Sequence, residues 1–138
     1  MRTQPNSGFR EIAHTADWEL EVWAPDLGRL LEQAARGMYH LTGTKVSPQP
    51  RISHLFSLHN IEPETLLIDF LNELLYLAES EGLAFDHFDL QFEGDQLKTQ
   101  VIGAKIESMG KEIKAATYHN LNIIETELGL SANIVFDV

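Results

Sequence analysis

The sequence predicts an α+β fold, a two-layer sandwich in which two main helices pack on one face of a mixed or antiparallel sheet of about seven strands. Three observations predict it. Two segments carry apolar residues at helical spacing, several others alternate apolar and polar residues as strands do, and each helical segment lies between strand-like ones. With 138 residues the chain has the size of one domain, and we expect residues 1–138 to form a single one.

The first predicted elements are two strands and a helix. Residues 9–14 contain residues that favour strands, and residues 18–23 alternate strictly between apolar and acidic side chains. Asp26 is a suitable N-cap for a helix that extends from residue 27 to about residue 41, where leucines, alanines and a methionine form one apolar stripe. Gly43 ends this helix.

The second helix is predicted after another strand. Residues 51–59 alternate between apolar and polar side chains and predict that strand. The helix begins at the segment 62–64, because proline and acidic residues suit a first helical turn, and it extends to about Ser80. Its apolar residues cover a wide face, so we expect this helix to be central to the core.

The C-terminal part is predicted to consist of strands. Residues 93–95 form a hairpin signal and residues 127–131 a turn. The apolar pattern of the last strand continues to Val138, which predicts that this end is held in the sheet. The predicted strands cover residues 85–92, 97–106, 117–126 and 132–138.

The composition is that of an ordinary globular protein, with 43% hydrophobic and 22% charged residues. The chain has no cysteine, so a metal site would have to use histidine and carboxylate ligands. No apolar run approaches the ~20 residues that span a bilayer, and the first six residues lack the apolar stretch of a signal peptide. We therefore expect a cytoplasmic protein that does not bind a membrane.

The charge is strongly acidic and unevenly distributed. Ten Lys and Arg stand against 21 Asp and Glu, a net charge of −11, and residues 61–95 contain ten acidic residues but no Lys or Arg. A surface that grips nucleic acid is usually basic, so we do not expect direct nucleic-acid binding. A basic protein partner or a cation would fit this charge, and so would solubility alone.

Carboxylates at two places are candidate metal ligands. Asp17 ends a short connection between two predicted strands, where an aspartate either bonds backbone amides or is held rigidly enough to bind a metal. Asp137 and the carboxylate of Val138 lie at the end of the last predicted strand. Beside Asp17 they would suit a hard cation such as Ca²⁺ or Mg²⁺, although such groups are often only solvated.

Two further sets of residues could carry chemistry. His119 follows Lys114, the last basic residue of the chain, and is either a base or ligand or a structural strand residue. Asp69 and Glu73 share one face of the second helix and form either an acid–base pair or a solvated face. The phosphate-binding, dinucleotide-binding, nucleophile-elbow and zinc-protease motifs are absent from the sequence.

Four separated segments span nearly the whole chain. They are His14-Thr15-Ala16-Asp17, the helical run from Leu67 to Tyr76, the run from Ile113 to Leu121, and Val135-Phe136-Asp137-Val138. Together, and in this order, they resemble the archease family. One departure is Trp18, since a smaller residue is expected after the first segment.

The resemblance implies an accessory role in RNA ligation. Archeases assist the RtcB-type RNA ligase, a manganese-dependent enzyme that joins RNA ends in tRNA splicing and RNA repair and uses GTP to form a guanylylated histidine. The archease promotes guanylylation and multiple turnover without being a ligase. A stand-alone metal-binding, chaperone-like or hydrolytic module is the alternative, and a plain interaction domain without metal is a third possibility.

The resemblance also implies roles for particular residues. Family members bind a divalent cation, calcium in some structures, through residues that match Asp17, Asp137 and Val138 here. We expect calcium, with magnesium or manganese as alternatives. The lysine that matches Lys114 is implied in ligase activation, and we place His14 and His119, which belong to the same motifs, with it.

Overall fold

The computed structural model describes residues 6–13 and 18–138 of the chain. Within these residues it contains two helices and nine strands. In chain order the elements are β1 (Gly8–Ile12), β2 (Trp18–Ala24), α1 (Leu27–Thr42), β3 (Lys45–Val46), β4 (Ile52–His59), α2 (Pro63–Glu81), β5 (Leu83–Glu93), β6 (Gln96–Ser108), β7 (Ala115–Ala116), β8 (Ile124–Thr126) and β9 (Gly129–Asp137).

Both helices begin and end where the sequence predicts, within about one residue. The Asp26 side chain accepts a hydrogen bond from the backbone N–H of Arg29, at 2.8 Å, and so caps α1. Pro63 opens α2 without loss of a helical hydrogen bond. Gly43 and Gly82 end the two helices in the left-handed conformation, with φ values of 65° and 67°.

The strands confirm the α+β class, and they form two antiparallel sheets where a single sheet was predicted. The first sheet has the order β1-β2-β9-β7, with β8 also paired to β9. In the second, β6 pairs with β3 and β4 and with β5. Because β4 and β5 occupy both sides of β6, this long strand has no free edge through which to join the first sheet. Alternation in a sequence identifies a buried face but not the partner strand.

Each helix contacts strands of both sheets, so the core lies between helices and sheets. Helix α1 packs on β1, β2 and β9 and reaches β5, whereas α2 packs on β4, β5 and β7. The expectation that α2 is central is confirmed, since its apolar face is buried. Fully buried side chains include Leu20, Leu66, Phe70, Leu74 and Phe136.

The strand predicted over residues 117–126 is wrong for most of its length. Within it only β8, at its C-terminal end, is a strand, since β7 ends just before residue 117, and Asn120 between these two strands has a positive φ of 54°. A left-handed residue reverses the chain and cannot continue a strand. The backbone N–H of Leu121 donates to the carbonyl of Tyr118, which closes a turn. Strand β9 also begins three residues earlier than predicted, at Gly129.

None of the helices in the described ranges 6–13 and 18–138 has the length and apolar character needed to cross a membrane.

Candidate functional site

The C-terminal strand β9 lies inside the first sheet and not at its edge. Strand β2 pairs with one side of it, and β7 and β8 pair with the other. Phe136 is fully buried, while the side chain of Asp137, one residue later, is exposed. The prediction that this end is held in the sheet is therefore confirmed. A rigid backbone thus presents the Asp137 carboxylate to solvent.

Lys114 lies directly beside this strand end. Its backbone N–H donates a hydrogen bond of 2.8 Å to the carbonyl of Asp137, and the next residue, Ala115, pairs with Asp137 in the sheet. Within the described residues, neither the Lys114 ammonium nor the Asp137 carboxylate forms an ion pair or a side-chain hydrogen bond. The structure therefore brings together two of the predicted site residues, with both charged groups available.

Strand β2 leads to the same end of the sheet. Its first residue, Trp18, pairs with Phe136, the neighbour of Asp137. The ammonium of Lys111 lies over the Trp18 ring. Sequence reasoning did not identify Lys111 as a site residue, and no local pattern marked it.

An amide side chain on α2 holds β7 from the other side. The backbone N–H of Ala116 donates to Oδ1 of Asn72 at 2.8 Å, and Nδ2 of Asn72 donates to the carbonyl of Ala116 at 3.3 Å. This helix contains one of the four segments that carry the family resemblance, but no role was predicted for Asn72. The available signal was a polar amide in the middle of a largely apolar helix.

His119 is exposed, beyond the end of β7. The Thr117 hydroxyl donates to the carbonyl of Val135 at 2.8 Å and accepts from the backbone N–H of His119 at 3.3 Å. The His119 ring nitrogen Nε2 lies 3.3 Å from Nδ2 of Asn120. These contacts attach His119 to the strand end that carries Lys114, but they make no link between its ring and a carboxylate.

Other predicted residues lie apart or outside the described chain. The side chains of Asp69 and Glu73 make no hydrogen bond or ion pair within residues 6–13 and 18–138, which favours the solvated-face alternative. His14 and Asp17 lie outside the described residues. Among the residues that are described, no three His, Cys, Asp or Glu side chains are placed to hold a metal ion.

A cavity of about 230 Å³ opens beside Lys114. It lies between the C-terminal parts of α1 and α2 and the segment 109–115. Tyr39 lines it, and burial raises the pKa of Tyr39 above its usual value, because the charged phenolate would lose hydration. The nearby backbone of Phe85 lowers this pKa by a smaller amount than burial raises it. It is not close enough in geometry to count as a hydrogen bond, so the Tyr39 hydroxyl has no hydrogen-bond partner among the described residues.

Comparison with known proteins assigns the chain to a family. The sequence model of the Archease protein family (MTH1598/TM1083) matches residues 9–138. The chain belongs to the archease family. The archease of Methanosarcina barkeri is 30% identical over 140 residues, which cover 94% of this chain and 95% of the relative. The archease of Archaeoglobus fulgidus is 30% identical over 139 residues, covering 94% and 98%.

Solved structures agree with this assignment. The crystal structure of an archease from Thermotoga maritima, described as a possible chaperone, has a TM-score of 0.71 and 29% identity, covering 94% of this chain and 96% of that one. The solution structure of protein 1598 from Methanobacterium thermoautotrophicum has a TM-score of 0.75 over 95% and 99% of the two chains. Its 24% identity supports the fold alone. Both comparisons cover the segments that contain Lys114 and Asp137 only as part of the shared fold.

Proposed function

We propose that this archease is a cytoplasmic protein cofactor of an RtcB-type RNA ligase in tRNA splicing and RNA repair. It promotes the GTP-dependent guanylylation of the ligase and its multiple turnover, and it does not catalyse ligation. The hydrogen bond between Lys114 and Asp137 carries this proposal, because it joins two separated motifs of the family at one exposed strand end.

A divalent-cation site at this strand end is part of the proposal. Asp17, Asp137 and the main-chain oxygen of Val138 would hold the ion, with calcium expected and magnesium or manganese possible. Carboxylate and carbonyl oxygens are the donors that a hard cation prefers. The exposed Asp137 carboxylate is available to a cation, because it forms no hydrogen bond or ion pair with a described residue. Asp17 directly precedes Trp18, which pairs with the neighbour of Asp137. Bound there, the ion would supply a local positive charge on an otherwise acidic protein.

The charge distribution supports a protein partner. With a net charge of −11, the chain as a whole repels RNA phosphates, so direct nucleic-acid binding is not part of the proposed role. Lys111 and Lys114 are basic residues near the exposed end of β9, which we call the docking end. His14 and His119 are proposed to contribute to activation as well. We propose that this end enters the active-site mouth of the ligase, with Lys114 held at its edge.

Guanylylation of the ligase from the same organism tests this function. Ligase and GTP are incubated with and without substoichiometric archease, and the guanylylated ligase and the number of ligations per ligase are counted. Acceleration with multiple turnover is expected. No effect, with both proteins shown to be folded, would overturn the proposal.

Variants locate the activity on the surface. Asp17→Ala, Asp137→Ala and Lys114→Ala are expected to lose activation. The matched controls Asp89→Ala and Lys98→Ala, exposed residues of the second sheet, are expected to retain it. Equal activity in the two groups would exclude the proposed docking end.

A stand-alone chaperone-like or hydrolytic module is the second candidate. The description of the Thermotoga maritima relative as a possible chaperone favours it. In that case the chain alone would suppress aggregation of an unfolded test protein, or hydrolyse a generic phosphoester, and Asp17→Ala, Asp137→Ala or His119→Ala would abolish the hydrolysis.

A further inference from the structure

We infer that Asn72 is a positioning residue for Lys114, because its amide fixes the backbone of β7 to helix α2. The inference rests on the proposed function, in which Lys114 contributes to ligase activation. It adds a residue on the core helix, remote in sequence, that determines where the lysine lies.

Strand β7 is too short to hold itself in place. It contains two residues, whereas strands usually contain about five or six. On one side, the N–H groups of Lys114 and Thr117 donate to the carbonyls of Asp137 and Val135, at 2.8 and 3.1 Å. On its other side no strand of the described chain pairs with it. The Asn72 amide fills this side with one acceptor and one donor, as a neighbouring peptide group would.

The core determines the position of this amide. Leu71 and Leu74, which flank Asn72 on α2, are fully buried, and close-packed interiors allow little movement. Ala116 is 4% exposed, so water cannot readily replace the lost hydrogen bonds if the amide is removed. The location of β7 is therefore coupled to the packing of α2.

The Lys114 side chain depends on this coupling, because none of the described residues holds its ammonium group. This side chain is exposed and has no ion-pair partner in the described part of the chain. Two contacts therefore determine the position from which the Lys114 side chain extends. They are the backbone hydrogen bond to Asp137 and the hydrogen bonds between Asn72 and Ala116. Asparagine also lowers helix stability relative to leucine or alanine, so an asparagine inside α2 requires a compensating contact, which the clamp provides.

Ligase kinetics test the inference. Asn72→Ala is expected to lower the maximal guanylylation rate at saturating archease by about tenfold, since displacing a contributing group by roughly 1 Å can cost up to a hundredfold. The archease concentration at half-maximal effect should stay unchanged, because the docking surface remains. Asn72→Asp retains the acceptor for the Ala116 N–H and should keep intermediate activity. Asn133→Ala, which removes an exposed amide bonded to Glu19, is the control that keeps full activity.

A double variant separates positioning from general destabilisation. If Asn72 acts through Lys114, then Asn72→Ala combined with Lys114→Ala activates as poorly as Lys114→Ala alone. A further loss in the double variant would overturn the inference. The same conclusion follows if Asn72→Ala activates as well as the parent protein.

Amide hydrogen exchange tests the clamp without the ligase. Asn72→Ala should speed exchange at Ala116 and Lys114 and leave the Leu71 amide of α2 protected. Unchanged exchange at Ala116 would contradict the clamp. If the alanine variant does not fold, Asn72→Leu replaces it in both experiments, because leucine has nearly the same size and neither a donor nor an acceptor. If the parent protein fails to activate the ligase, the proposed function falls, and altered exchange would then support only a structural clamp.

Discussion

The ammonium of Lys111 lies 4.9 Å from the centre of the Trp18 ring, within the range of a cation–π contact. The backbone N–H of Lys111 donates to the carbonyl of Thr42, the last residue of α1, at 3.3 Å. The end of α1 and the start of β2 are therefore joined through one lysine. Trp18 directly follows Asp17, and this contact gives its large ring a partner.

Replacing Lys111 tests this contact. Lys111→Gln should lower the free energy of unfolding by about 0.5–1 kcal/mol, the range for a partly exposed cation–π pair. Urea unfolding monitored by fluorescence measures the change. Lys105→Gln, which removes an exposed lysine with no ion pair in the described residues, is the control. If both variants unfold at the same urea concentration, the contact does not stabilise the fold.

The helices and the β5–β6 hairpin were predictable because their signals are local. Caps such as Asp26 and Gly82, and the turn at residues 93–95, act over a few residues. The division into two sheets was not, because it depends on which strands pair. The segment 117–123 was mistaken for a strand because contacts distant in sequence fix it, including the bond from the Ile123 N–H to Glu64.

The site could be predicted in part for the same reason. Motifs indicated Lys114 and Asp137, but their contact arises from pairing between β7 and β9, which no local pattern encodes. Asn72 and Lys111 were missed because their roles come from a single partner across the fold. Asp17 and His14 lie outside the described residues, so their roles stay predictions.

Calcium binding is predicted to depend on Asp137. At about 100 times its dissociation constant, a bound ion should raise the free energy of unfolding by roughly 2.7 kcal/mol. Thermal unfolding in a calcium titration would show this as an increase in Tm. Asp137→Asn should abolish the increase, because it removes one of the carboxylates that we propose as ligands, whereas Asp89→Asn should retain it. A calcium shift of equal size in Asp137→Asn would exclude Asp137 as a ligand.

Acid stability is predicted to depend on Asp86. The Arg51 guanidinium donates to both oxygens of the Asp86 carboxylate, and this bonding lowers the pKa of Asp86 below its ordinary value of 3.8. The folded state therefore prefers the ionised form. The stabilisation is complete above the unfolded pKa and is lost as the pH falls through the folded pKa.

Asp86→Asn tests this pair. It should reduce stability slightly at pH 7, since both side chains are about half exposed, at 43% and 51%. The difference from the parent protein should vanish in acid, well below pH 3.8. Unfolding by urea at several pH values measures it. A difference that persists unchanged into acid would assign the effect to something other than the ion pair.

Gly103 is predicted to tolerate no side chain. At this position β6 passes so close to β5 that a Cβ atom would lie 2.6 Å from the Cα of Phe85. Gly103→Ala should therefore cost about 3 kcal/mol through backbone displacement. Gly28→Ala in α1 is the matched control, since its Cβ would make an ordinary contact with Phe92 and the change should gain up to about 1 kcal/mol. Equal stabilities by urea unfolding would contradict the close approach.

The Tyr39 hydroxyl is predicted to destabilise the fold. It is buried and makes no hydrogen bond of normal geometry in the described residues, and such a group costs about 1–3 kcal/mol. Tyr39→Phe should therefore keep or raise stability, by about 1 kcal/mol, whereas Tyr76→Phe, at a residue that is 61% exposed, should change nothing. A clear loss of stability in Tyr39→Phe would show that the hydroxyl has a partner.

Alkaline pH should enlarge the effect of Tyr39→Phe. Burial raises the pKa of Tyr39 in the folded state, so above pH 10 the unfolded chain releases a proton that the folded chain retains. This linkage favours unfolding as the pH rises, and phenylalanine removes it. Urea unfolding of both proteins at pH 8 and above pH 10 should therefore show a growing advantage for the variant. A constant difference would mean that the hydroxyl ionises as readily in the folded protein as in the unfolded one.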